Sequence, residues 1–278
     1  MSSPAIIVDQ GFEPYGGTRT PIRTRPLIIT AGQLKLAWKE TWLRRLLWMA
    51  AMPTVVLVVL QIVKAHFGGL GGVFPIWEIY WGLQTFFALL ISYFVGRRAV
   101  GEDLHSGAMI VYLSRPVSLF GYSFGKWLAV ALAVAVITIA PGWLLAWLRY
   151  VTESGAPLGQ LMRETGALLV GGLTLALTFA LVMLAISSLT RRARASGILW
   201  LAVVFGSAMA AEGLAQTCNL VELRALGVLE GNVRFTLWLL GQEQSSSMAF
   251  AGFGSQIIWA IFSLMVLRLR LRSVVREG

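Results

Sequence analysis

The chain has 278 residues, 57% of them hydrophobic and only 13% charged, with a mean hydropathy of +0.73 and a formal net charge of +10. A soluble globular protein carries about 25% charged residues, so this composition describes an integral membrane protein. The length does not accommodate a membrane module together with a nucleotide-binding domain of roughly 100–200 residues, and the single cysteine, Cys218, excludes an intrachain disulfide or a cysteine-built metal site.

The basic residues gather at the ends of apolar segments. They form no basic stripe and no nucleic-acid-binding motif, so the positive charge reports membrane topology and not a nucleic-acid partner. Residues 1–45 form the first unit. Up to residue 30 the chain mixes Pro14, Gly16, Gly17, Pro21 and Pro26 with Arg19, Arg23 and Arg25. It has no apolar run of the signal-peptide kind. It reads as an irregular cytoplasmic tail, either lying on anionic headgroups or a partner, or simply solvated. From 31 to 47, Leu34, Trp38, Trp42 and Leu46 recur at helical spacing while Lys35, Lys39, Arg44 and Arg45 take other faces. This pattern predicts an amphipathic helix in the plane of the interface, an elbow leading into the first span.

Residues 46–278 form the membrane unit. A crossing helix needs about 20 mostly apolar residues, and six stretches qualify: 46–65 with Pro53 inside, 74–95 after a glycine-rich turn, 127–148 with Pro141 inside, 166–189, 197–215 and 248–267. Neighbouring helices tolerate the interior prolines. Tryptophans near segment ends (Trp42, Trp48, Trp77, Trp81, Trp127, Trp143, Trp147) suit interfacial anchoring or ordinary packing. Small residues crowd the fourth span, among them Gly171, Gly172, Ala176, Ala180, Ser187 and Ser188. Such residues permit close helix approach, either within the bundle or at a subunit seam. The connection 216–247 is too apolar for a free loop and too charged to cross. It predicts short helices, either dipping into the outer leaflet or lying flat on it.

With both termini in the cytoplasm, only five of the 23 Lys and Arg residues fall on the outer side: Lys64, Arg149, Arg163, Arg224 and Arg234. That asymmetry predicts the orientation. It makes the polar stretch 97–126, with Arg97, Arg98, Glu102, Asp103, His105, Arg115 and Lys126, a cytoplasmic connection.

Catalytic signatures are sparse. The string Gly121–Trp127, GYSFGKW, has three residues between its glycines where a phosphate loop needs four, and Trp127 stands where the magnesium-binding hydroxyl belongs. Any ATP and Mg would be bound by another chain, and no cofactor is expected on this one. The two histidines, His66 and His105, lie outside any H-E-x-x-H pattern, and no G-x-S-x-G elbow occurs. Glu102, Asp103 and His105 offer too few ligands for a metal site and read as a solvated turn or a partner contact. Glu78 and Glu212 sit near the outer ends of their spans. They either snorkel to water or line a polar outer cavity.

One run carries a family signature: Glu102, Gly107, then an apolar strip ending in Ser114, Arg115 and Pro116, followed by Tyr122, Gly125 and Lys126. It resembles the first cytoplasmic connection of ABC-2-type transporter permeases, with Leu119 and Phe120 where that family often has a basic residue. The six-span plan, the elbow and the long final outer connection resemble that family too. The resemblance implies a non-catalytic permease subunit in a bacterial inner membrane, paired with a second permease and docked on a cytoplasmic ABC ATPase. Substrate export or mechanical work would follow from ATP hydrolysis by the partner. Glu102, Asp103, His105, Gly107, Arg115, Pro116 and Lys126 would be the docking residues. Negative charge at 102–103 favours a helix start, and Pro116 ends a helix near Arg115. The rival expectation is a structural membrane anchor or scaffold using the same face without transport.

Overall fold

In the computed structural model, the described residues are 21, 24–67, 75–108, 118–153, 155, 157–190 and 192–277. Their regular structure is helical throughout. It comprises α1 (Arg25–Trp38), α2 (Thr41–Phe67), α3 (Ile76–Gly96), α4 (Gly101–His105), α5 (Leu119–Thr152), α6 (Leu158–Leu189), α7 (Ala193–Cys218), a 3₁₀ helix (Val221–Leu226), α8 (Val228–Leu239) and α9 (Ser246–Glu277). Six of these, α2, α3, α5, α6, α7 and α9, are long and apolar enough to cross a bilayer. The protein is an all-α, multi-pass membrane protein.

The long helices alternate in direction. One end of the bundle therefore collects α1, the close of α3, α4, the start of α5, the α6–α7 junction and the close of α9. It is called the proximal end here; the opposite end is distal. All six expected spans are present, but α5 has 34 residues and α6 has 32. At 1.5 Å per residue each is about 50 Å long, well beyond the roughly 30 Å hydrocarbon core. Both project past the membrane, and their projecting turns carry the polar clusters described below.

Two sequence expectations change at the N-terminal side. The interfacial helix occupies 25–38 and not 31–47. Pro26 suits its first turn, where no intrahelical N–H partner is needed. It ends where the Lys39 and Glu40 N–H groups bond back to the Leu36 and Ala37 carbonyls at 3.2 and 3.0 Å. Trp42, Arg44 and Arg45 belong to the first span instead. Its inward face is also polar: Thr30 and Gln33 are buried, while Leu27, Ile28, Leu36 and Trp38 face outward. The tryptophans divide as well. Trp42, Trp48, Trp143 and Trp147 are exposed as interfacial residues would be, but Trp77 and Trp81 are core side chains.

Helices α3 and α6 are the centre. Trp77, Tyr80, Trp81 and Ile91 of α3 are enclosed, as are Leu168, Leu175, Phe179 and Met183 of α6. Most small residues of α6 serve internal packing: a Cβ on Gly172 would stand 2.5 Å from Ile139 Cγ1. Outward faces of α2, α7 and α9 carry Trp48, Met52, Ile198, Met209, Ile258 and Ile261, as lipid contact requires.

Helix α3 also stabilises both proline-bearing spans. Pro53 and Pro141 lie inside α2 and α5, where a proline removes one hydrogen bond. The carbonyl three residues before each proline accepts a bond from α3: Gln84 Nε2 donates to Ala50 O at 3.0 Å, and Tyr80 Oη donates to Thr138 O at 2.7 Å. Each of these carbonyls adjoins the one, four residues before the proline, that loses its N–H partner, so polar side chains of α3 brace the backbone beside each break.

The connection before the last span is re-entrant. Asn219 adopts the left-handed conformation that closes α7 (φ 52°). The 3₁₀ helix then turns back into the bundle until the Val228 N–H meets Ser207 Oγ at 3.3 Å. Ser207 lies eleven residues before the end of α7, about 16 Å inward. Here Gln256 Nε2 donates to Val228 O and Trp259 Nε1 to Leu226 O, both at 3.0 Å. Helix α8 returns outward along α6, with Asn232 Nδ2 on Thr174 Oγ1 at 3.0 Å and Gly241 beside the Arg163 guanidinium. Irregular backbone at this depth persists because side chains from α7 and α9 occupy its polar groups.

Candidate functional site

The proximal connection is where sequence signature and structure meet. Leaving α3, Arg97 and Arg98 turn to Glu40 at the α1–α2 break, at 2.7 and 3.4 Å. This pairing fixes the elbow against the first connection. The Ser187 hydroxyl, buried near the end of α6, accepts from the N–H groups of Val100 and Gly101 at 3.2 and 3.1 Å. It donates in turn to Arg97 O at 3.3 Å. One side chain of α6 thereby holds the start of α4. Gly101 is required for this approach, since a Cβ there would lie 2.7 Å from Ser187 O and closer still to Thr190 O.

On the next turn, Asp103 forms an ion pair with Lys126 at 2.9 Å, and Tyr122 Oη donates to the same carboxylate at 2.6 Å. Lys126 Nζ also donates to Gln33 Oε1 at 3.0 Å, and Gln33 Nε2 donates to Val95 O at 2.9 Å. Thr30 Oγ1 donates to Gly125 O at 2.9 Å, and a Cβ on Gly125 would crowd Pro26 O at 2.6 Å. Helices α1, α3, α4 and α5 therefore meet in one buried polar knot. The ammonium and carboxylate in it are mutually neutralised, which a buried charge requires.

The expected docking residues consequently separate. Asp103 and Lys126 are turned inward and pair with each other: the Lys126 side chain is 6% exposed. Glu102 and His105 face solvent, with Glu102 loosely paired to Arg98 at 3.9 Å. Gly107 adopts positive φ (70°) in open space, the turn that ends the α4 segment. Arg115 and Pro116 lie outside the described residues. Glu40 and Gln33 were not singled out by sequence, and Ser187 only as a small packing residue of the fourth span, because each is an ordinary polar residue whose partners are 57 to 93 positions away.

The distal end carries a second cluster. Glu164 is 3% exposed and accepts from Arg149 Nη1 at 2.9 Å, Gln160 Nε2 at 3.1 Å and Trp77 Nε1 at 3.3 Å. Arg149 also pairs with Glu153 at 3.3 Å, and Gln61 Nε2 donates to Glu153 at 3.1 Å. Four helices, α2, α3, α5 and α6, are tied there by one guanidinium and two carboxylates. The two acids expected at the outer ends do not converge on this cluster. Glu78 is exposed, and Glu212 pairs with Arg224 at 2.8 Å beside Gln216.

Fold and polar clusters together define a multi-pass helical membrane protein whose proximal connection is moored to its central helix. No protein-family model matches the chain, and no curated protein matches it significantly. Its functional reading rests on these residues and their geometry.

Proposed function

We propose that the chain is the membrane-spanning permease subunit of an ABC-2-type transporter, driven by ATP hydrolysis on a separate cytoplasmic ATPase. In this reading the proximal end is cytoplasmic, with both termini there, in a bacterial inner membrane. The chain has no catalytic residue of its own; ATP and Mg belong to the partner. A second permease copy completes the assembly, most simply as a homodimer, which exports a substrate or does mechanical work.

One observation carries the reading: a short segment that shows charge outward and is rigidly held inward. Glu102 and His105 face water, while Ser187 and the Asp103–Lys126 pair fix the same segment to α6, α5 and α1. A force applied at Glu102 is delivered to three helices without a flexible joint. The re-entrant hairpin before the last span and the interfacial α1 agree with the same plan.

The test is co-purification from detergent extract with a phosphate-loop ATPase, followed by its ATPase rate with and without this chain. Glu102→Ala and Arg115→Glu are expected to remove the stimulation while leaving the melting temperature of the spans unchanged. Stimulation that survives both substitutions, or an intact assembly in which 97–108 stays bare, refutes the docking role and favours a membrane scaffold.

A further inference from the structure

A groove of about 540 Å³ opens at the proximal end between the start of α5, α6 and the last turns of α9. Its size falls within the ~300–1,000 Å³ of ligand pockets. Phe120, Phe124 and Trp127 form one wall, their rings in a ladder with centroids 6.0 and 5.4 Å apart. The Trp127 indole N–H is already given to Leu177 O at 3.2 Å, so the wall offers ring faces and no donor. Leucines of α6 and α9, Leu267 among them, form the opposite wall.

At the rim stand Arg268 and Arg272, four residues apart on one face of α9 and both exposed. Neither enters an ion pair among the described residues, whereas Arg270 between them reaches Ser188 O at 3.4 Å. An apolar slot capped by two guanidinium groups matches an amphiphile with an anionic head. Its position, at the boundary between the apolar run of α9 and its basic end, is headgroup level.

We propose that this groove binds an anionic phospholipid of the adjoining leaflet, its acyl chain along the aromatic ladder and its phosphate on Arg268 and Arg272. Lipid tails are as apolar as leucine, so an acyl chain gains little by leaving its neighbours for the groove. Selectivity therefore resides in the head, where guanidinium groups take phosphate oxygens in a planar, two-point arrangement. A partner's apolar helix would fill the slot without using the arginines, and free phosphate would not use the slot. The proposal needs only the membrane character of the chain and stands apart from the transporter reading.

The test is native mass spectrometry of the full chain in detergent, titrated with phosphatidylglycerol or phosphatidylcholine of identical acyl chains. Phosphatidylglycerol is expected to bind at least about tenfold tighter. The R268Q/R272Q pair should erase that preference and leave phosphatidylcholine binding unchanged, and R268K/R272K should restore part of it. Ser123→Trp, which fills the groove from α5, should displace phosphatidylglycerol with both arginines intact. Equal affinity for the two lipids, a preference that survives R268Q/R272Q, or a photo-crosslinker at Phe124 that captures a second polypeptide overturns the proposal.

Discussion

Lys126→Met tests whether the proximal knot is held by its ion pair or merely contains it. The lysine is buried, and its removal leaves Asp103, 15% exposed, without a counter-charge. Breaking a buried pair from one side costs about 3–5 kcal/mol. Two features reduce that figure here: the carboxylate touches some water, and Tyr122 still donates to it at 2.6 Å. A hydrogen bond to a charged group retains about 1.5–3 kcal/mol, so a net loss of roughly 1–2 kcal/mol is expected. At roughly 2–4 °C per kcal/mol for a chain of this size, the melting temperature falls by roughly 2–8 °C. Intrinsic fluorescence reads it, since nine of the 11 tryptophans lie in the spans. Adding Asp103→Leu removes the stranded charge, and the double variant should recover at least half of the loss. Additive losses in the two single variants and the double would show that the pair is not energetically coupled, and the knot would then owe its stability to α1 packing alone.

Three further outcomes follow from particular contacts. Gly101→Ala drives a Cβ into the Ser187 and Thr190 carbonyls, which are backbone and yield little; about 1–3 kcal/mol of overpacking should displace α4, read as faster hydrogen exchange at 101–105. Glu164→Gln leaves Arg149 only Glu153 and should lower the melting temperature, whereas Glu78→Gln, at an exposed position, should not. Gln256→Leu removes the α9 bond to the Val228 carbonyl and leaves it only its partner within α8, a loss of about 0.5–1.5 kcal/mol, and protease or exchange protection at 226–230 should fall while that of α3 is unchanged.

The apolar spans were legible because lipid demands them: each needs about 20 apolar residues whatever its neighbours. Their true ends were not. Residues 119–126 and 158–165 extend α5 and α6 because Ser118 caps one start and Glu164 is buried at the other, and neither cause lies in an apolar count. The elbow was found but misplaced, because the periodicity runs unbroken from Leu34 to Leu46. The break at 39–40 is marked by Glu40, whose partners Arg97 and Arg98 lie in another connection. Lys126 read as a surface charge for the same reason, since its burial depends on Asp103 and Gln33. The re-entrant connection was recognised as helical but left between two depths. Its depth is set by Ser207, Gln256 and Trp259, three residues that look unremarkable in sequence.

Apolar packing alone could not register these helices, because the surrounding lipid competes for every leucine. The specifying contacts run instead from a polar side chain on one helix to backbone on another, and they meet backbone where helical regularity fails: Gln84 before Pro53, Tyr80 before Pro141, Gln256 and Trp259 at 226–228, Ser187 at 100–101. Helix α6 joins several of these points. Near its proximal end Ser187 holds α4; midway Gly171 and Thr174 receive Asn232 of the re-entrant hairpin; near its distal end Glu164 binds Arg149. A 32-residue helix tied at both ends by polar contacts behaves as a rod. The Glu102 face is therefore linked through α6 to the hairpin, which Ser207 of α7 also holds, and to the distal cluster, which Gln61 of α2 joins.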